Sequence, residues 1–241
     1  MHDTISLYPN PIVGADVVGY AIKHSTPLPE VLYQHQKASE DFCEKEQLPA
    51  FMMVNELQAQ FMLFLAKIQK AKRILEIGTF TGYSALAWAE AVKTQPGGEV
   101  VCLDLENKAS DFAKEAFEKA GYGDIVKFIG GDAMETIKSL SGTFDIIFID
   151  ANKDGYISYL DLTLSLNLLA PGGLIMADNA LFKGLPANKK DNPEKNNPRW
   201  IDIAAEMDKF NQWVNERVDL ENVLLPAFDG IHFLRRKVLK H

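Results

Sequence analysis

The sequence has little cysteine. Cys43 and Cys102 are its only two, and they lie far apart. Cys102 falls inside a predicted strand, so the pair reads as reduced core thiols of a cytoplasmic protein, not as a disulfide framework. No apolar run is long enough to span a bilayer. The stretch Met1 to Asn10, with His2 and Asp3, lacks the apolar core of a secretory signal. An excess of positive charge is missing too. The net charge of −8 argues against a nucleic-acid duplex or an anionic membrane as the main partner. No internal repeat is present. What remains is the profile of an ordinary globule, 47% apolar and 24% charged over 241 residues. A chain of that size buries enough core to need neither disulfide nor structural metal.

From residue 72 onward, strand-like and helix-like stretches alternate. The strands are "KRILEIG" (72–78), "EVVCLDL" (99–105), "DIVKFIGG" (124–131), "FDIIFID" (144–150) and "GGLIMAD" (172–178). Between them lie helical stretches such as "GYSALAWAEAVK" and "ENKASDFAKEAFEKAG", the second stopped by Gly121. Such alternation means parallel βαβ units and a doubly wound α/β sheet. The end departs from it: "NVLLPAF", then Asp229-Gly230, then "IHFLRRK" predicts an antiparallel hairpin with a tight turn. Ahead of residue 72 the chain reads as helical, over Thr26 to Leu48 and over 55–71. One domain is expected, a helical N-terminal extension (1–71) on a core (72–241). The polar stretch 183–200, rich in Lys, Asn and Pro, is either a solvated loop or a lid over a site after the fifth strand.

Chemistry collects where strands end. In "LEIGTFTGYS", Gly78 and Gly82 frame a strand-to-helix turn. It is neither G-x-G-x-x-G nor a P-loop. Glu76 would repel a pyrophosphate but suits a ligand with a cationic part, such as S-adenosylmethionine. The glycines alone could equally be structural. Asp104, or failing it Glu106, ends the second strand where an acid can accept from a ribose diol. Asp132 and the backbone of Ala133 could read an adenine, although Asp132 could as well cap the next helix. Asp150 ends the fourth strand and Asp178 and Asn179 end the fifth. Any one of these could be a helix cap. Together, at two neighbouring strand ends, they form a hard oxygen set suited to Mg²⁺, or to Mn²⁺ or Ca²⁺. Lys153 lies one turn beyond Asp150, where a nearby dication would make it a usable general base.

These motifs resemble a known family. "LEIGTFTGYS", "FDIIFIDANKDGY", "GGLIMADNALFKG" and "FDGIHFLRRK" look like the cation-dependent O-methyltransferases of the caffeoyl-CoA and catechol group. The resemblance implies a Rossmann-like, seven-stranded sheet ending in an antiparallel hairpin strand. It implies S-adenosylmethionine as methyl donor, a divalent cation on Asp150, Asp178 and Asn179, and catalysis by Lys153 and Asp150. Cofactor contacts would fall on Val54, Glu76, Gly78, Thr79 and Ser84, then on Asp104, Asp132, Ala133 and Asp150. A small aromatic acceptor with adjacent hydroxyls and a homodimer follow from the same likeness. Two departures stand out: "ELQAQF" carries Leu57 and Ala59 where the family has an acid and a glycine, and Asn152 replaces an acid that helps hold the cofactor. Two other readings stay in view, a Mg²⁺-dependent phospho-receiver domain and a catalytically inactive cofactor-binding module.

Overall fold

The computed structural model describes residues 11–237; Met1 to Asn10, where a secretory signal was judged absent, lies outside them. The dry stretches become seven strands: β1 (Arg73–Ile77), β2 (Glu99–Asp104), β3 (Val126–Gly130), β4 (Phe144–Ile149), β5 (Leu169–Ala177), β6 (Leu220–Leu225) and β7 (Ile231–Arg236). Their order in one sheet is β3-β2-β1-β4-β5-β7-β6. β1 to β5 pair in parallel, and β7 runs antiparallel to both β5 and β6. Strand order therefore reverses between β1 and β4, the place where open α/β sheets bind ligands.

Helices cover both faces: α1 (Pro11–Lys23), α2 (Glu30–Glu46), α3 (Glu56–Gln69), α4 (Tyr83–Val92), α5 (Lys108–Lys119), α6 (Ala133–Thr136), α7 (Tyr156–Ser165) and α8 (Pro198–Glu216). Successive strand residues point to opposite faces. Ile74, Ile146 and Phe148 pack with α2 to α5, and Leu75, Ile77, Ile147 and Ile149 pack with α7 and α8. Each of these fully buried side chains is worth roughly 1.5–3 kcal/mol against exposure. The central strands are thus apolar without alternation because both of their faces are core. Asparagines start three of these helices. Asn55 accepts from Gln58 N at 2.9 Å, Asn197 caps α8, and Asn107 forms a capping box with Ser110. No helix among the described residues is long and apolar enough to cross a membrane.

Two expected boundaries move. The hairpin is not closed by a two-residue turn: β6 ends at Leu225 and five residues, 226–230, lead to β7. Pro226 has no N–H for the ladder, and Phe228 sits at φ 60°, so the pairing stops before Asp229-Gly230. The polar loop also ends early, because Pro198 takes the first position of α8, a site where its missing N–H costs nothing.

Candidate active site

The carboxyl ends of β1, β2, β4 and β5 open into one cleft of 1830 Å³. That exceeds the roughly 300–1,000 Å³ of a single small-ligand pocket, so two ligands fit side by side. At one end is the glycine turn. Gly78, Phe80 and Gly82 all have left-handed φ, at 93°, 52° and 85°. Only glycine adopts this freely, so Phe80 is a strained position that its surroundings must hold. Asp104 does part of that: its Oδ2 accepts from Thr79 N and Phe80 N, each at 2.8 Å, while Oδ1 accepts from Leu105 N at 2.7 Å. The carboxylate expected to meet a ribose diol is therefore first an anchor of the turn. A Cβ built at Gly78 would run into the carbonyl of Asp150, so the turn abuts the end of β4 with no room between.

Thr79, Ser84, Val54, Asp132 and Ala133 line the same cleft. Asp132 caps α6, accepting from Met134 N at 2.8 Å, and still faces the cavity. Glu76 is fully buried and does not itself line the cavity. It lies behind Ser84, whose hydroxyl donates to its Oε1 at 3.0 Å. Its Oε2 has no hydrogen-bond partner. Burial holds its carboxyl well above the usual carboxylate range, with Asp150 and Asp104 adding to that. An unpartnered buried carboxylate oxygen is costly, and a cationic ligand group would satisfy it.

The other end holds the acids. Ile149 pairs with Ala177 in the β4–β5 ladder, which brings Asp150 beside Asp178 and Asn179. Lys153 Nζ donates to Asp150 Oδ1 at 2.9 Å and to the Tyr156 hydroxyl at 2.7 Å. Asp178 is nearly inaccessible. Burial and then the Asp150 charge push its carboxyl up to about 7. Two carboxylates so placed repel one another and draw positive charge. Among the described residues no group of three or more His, Cys, Asp or Glu side chains is arranged for a metal. The oxygen donors here are two carboxylates and one amide.

Three residues from distant segments support this end of the cleft. Gln58, from α3, donates to Asp178 Oδ2 at 2.6 Å across 120 positions of chain. Asp229, read as a turn residue, accepts from Asn179 Nδ2 at 3.3 Å and from Lys183 N at 2.6 Å. It thereby orients the Asn179 amide, whose backbone sits at φ 55°. Asn211, on α8, donates to the Ala180 carbonyl at 2.7 Å. A buried glutamine within the apolar run of α3 was the one visible hint, since buried amides need partners. Asn152, in place of an acid, is taken up by Tyr159 and Asp154.

Comparison with known proteins agrees with this architecture. A family model described as O-methyltransferase matches residues 23–237. O-methyltransferase ankF of Aspergillus thermomutatus is 36% identical over 242 residues, covering 98% of this chain and 99% of that protein. Caffeoyl-CoA O-methyltransferase of Stellaria longipes is 32% identical over 196 residues, 78% and 77% of the two chains. The crystal structure of SAH-bound methyltransferase PaMTH1 from Podospora anserina superposes with a TM-score of 0.88 at 38% identity, covering 95% of this chain and 97% of that one. These matches leave the phospho-receiver reading without support. With its seven-stranded sheet and its cleft at the strand reversal, the chain belongs to the class I O-methyltransferase family and is a methyltransferase.

Proposed function

We propose that this protein transfers the methyl group of S-adenosylmethionine to one hydroxyl of a small vicinal dihydroxy-aromatic compound, with a divalent cation beside the acceptor. The observation that carries this reading is the meeting of the glycine turn with Lys153, Asp150, Asp178 and Asn179 in one cleft large enough for two ligands. On the cofactor side, Glu76 backs the wall through Ser84, and its unpartnered oxygen could take a cationic group only if the ligand reached past that hydroxyl. Gly78, Thr79 and Ser84 lie along the body of the ligand, Asp104 has one lone pair left on Oδ1, and Val54, Asp132 and Ala133 line the remainder.

The cation would be held by Asp150, Asp178 and Asn179. Their chemistry fits a hard dication, Mg²⁺ before Mn²⁺ or Ca²⁺, because two carboxylates face a single ammonium. When bound, such an ion supplies Lewis acidity and a template for two adjacent hydroxyls. Lys153 takes the acceptor's proton, and Tyr156 and Asp150 hold its Nζ at the mouth. Its ammonium must lose a proton to solvent and leave Asp150 before the neutral amine can serve as base, which ties the acid–base step to occupancy of the acidic cluster. An aromatic acceptor is supported by the walls of that end, where Phe51 and Trp200 meet edge to face at 6.2 Å. Phe51 is 70% exposed.

Assay with methyl-labelled cofactor and a panel of catechols tests this reading. Label should pass to catechols, stop with EDTA and resume with Mg²⁺. Full activity after exhaustive chelation would remove the metal, and transfer to no dihydroxy-aromatic would remove the acceptor class. A homodimer is part of the same reading. Phe64 and Ile68 on α3 and Val223 on the edge strand β6 are 63%, 62% and 52% exposed, and large exposed apolar groups mark association surfaces. Sedimentation equilibrium should return twice the chain mass; a monomer at micromolar concentration would refute it.

A further inference from the structure

The strained glycine turn needs a hold on its carbonyl side as well as on its N–H side, and α2 supplies it. Leu32, His35, Ser39 and Cys43 form the buried stripe of this helix, spaced by three and four residues so that they share one face. His35 Nε2 lies 2.9 Å from the carbonyl oxygen of Thr81, with Ser39 Oγ 3.3 Å from the same nitrogen. A carbonyl only accepts, so Nε2 carries the proton and donates. The ring is kept in place between Phe112, at 5.7 Å, and Tyr83, at 6.4 Å, both stacked on it. Thr81 lies between the left-handed Phe80 and Gly82 and lines the cleft. Its own hydroxyl is buried without a partner, so the residue is tied to α2 through its carbonyl and the His35 ring. Asp104 grips the amides of Thr79 and Phe80 from β2, and His35 grips the next carbonyl from the opposite side.

We propose that His35 is a positioning residue of the cofactor site: through the Thr81 carbonyl it holds the glycine turn in its ligand-ready shape, which makes helix α2 a working part of cofactor binding. The ring does not line the cleft. Its loss should therefore raise the cofactor's Kd and KM and leave kcat at saturating cofactor near its normal value. This inference rests on the cofactor reading above. It adds to that reading a residue 41 positions before Glu76, in a segment that sequence patterns mark only as an amphipathic helix.

Two pairs of variants test it, each read by calorimetric titration with S-adenosylhomocysteine and by steady-state kinetics. His35→Phe keeps a ring between Phe112 and Tyr83 but removes the donor, and His35→Gln restores a donor on a flexible stem. Loss of one neutral hydrogen bond is expected to weaken binding by about three- to tenfold in His35→Phe, with recovery in His35→Gln. Should the phenylalanine variant not fold, His35→Met set against His35→Gln, matched in length, asks the same question without a ring. Equal affinity of wild type and His35→Phe, or of Met and Gln variants, overturns the proposal. So does a fall in kcat with unchanged KM for the cofactor. Failure of the wild-type protein itself to bind S-adenosylhomocysteine would instead overturn the cofactor reading, which keeps the two failures apart.

Discussion

Asp178→Ala is expected to abolish methyl transfer while S-adenosylhomocysteine still binds with normal affinity. The reason lies in which end of the cleft the residue serves. Asp178 sits at the end of β5 among Asp150, Asn179 and Gln58, away from Glu76 and the turn. Without it one carboxylate and one amide remain, too few donors to compete with water for a hard dication. The acceptor's two hydroxyls then have nothing to chelate them, and a neutral phenol, with a pKa of about 10, stays protonated at neutral pH. The substitution is not structurally silent. It strips the Gln58 amide of its acceptor, a cost of about 1–3 kcal/mol for a buried donor. Against this, it relieves a carboxyl that burial and Asp150 already hold near 7. Thermal unfolding should consequently show a folded protein. Asp178→Asn, which keeps an oxygen for Gln58, should be as inactive as the alanine variant. Substantial turnover by either variant after exhaustive chelation would dismiss the metal from the mechanism.

Lys153→Met is expected to lower kcat by roughly 10²–10⁴, the usual size of general acid–base catalysis, with cofactor affinity kept. The side chain donates to Asp150 and to the Tyr156 hydroxyl, both beside the acceptor end. Methionine retains the packing over the Tyr156 ring, where Nζ now lies 4.8 Å from the centroid. Residual activity should climb with pH as solvent hydroxide replaces the missing base. It should also be larger with nitro-substituted catechols, whose hydroxyls ionise more readily. Lys153→Arg is a useful companion, since arginine keeps the charge beside Asp150 but does not surrender a proton. It should be as slow as the methionine variant. A near-normal kcat in Lys153→Met at neutral pH would leave the lysine only the task of neutralising Asp150.

Most of the fold could be read from the sequence because local pattern and tertiary role coincide. Ile146 to Ile149 are uniformly apolar since this part of β4 is sandwiched between helices, and Gly121 does follow the end of α5, at φ 77°. The site residues at strand ends were legible for a related reason: parallel topology gathers the carboxyl ends of β1, β2, β4 and β5 whatever lies between them. What escaped came from outside that repeat. Gln58 reaches the cleft and His35 the glycine turn from the leading helices, over separations of 120 and 46 residues, and Asp229 reaches the cleft from the C-terminal hairpin over 50. Nothing local ties such residues to their partners. The antiparallel hairpin itself lies where the sequence places it; only its turn is longer, because Pro226 ends the pairing early and Asp229 is engaged with Asn179 and Lys183.

The contact between Gly78 and the Asp150 carbonyl has a bearing on how this enzyme could be altered in the laboratory. Any side chain at 78 would strain a left-handed φ and displace the backbone that carries Asp150. A library that reshapes the donor end through this position would therefore damage the acidic end as well, and the losses would look like lost chemistry even where the donor still bound. Change at Phe51, Arg199 or Trp200, which line the cleft without touching Gly78 or Asp150, carries no such penalty. New acceptors are best sought there, and new methyl donors are the harder goal.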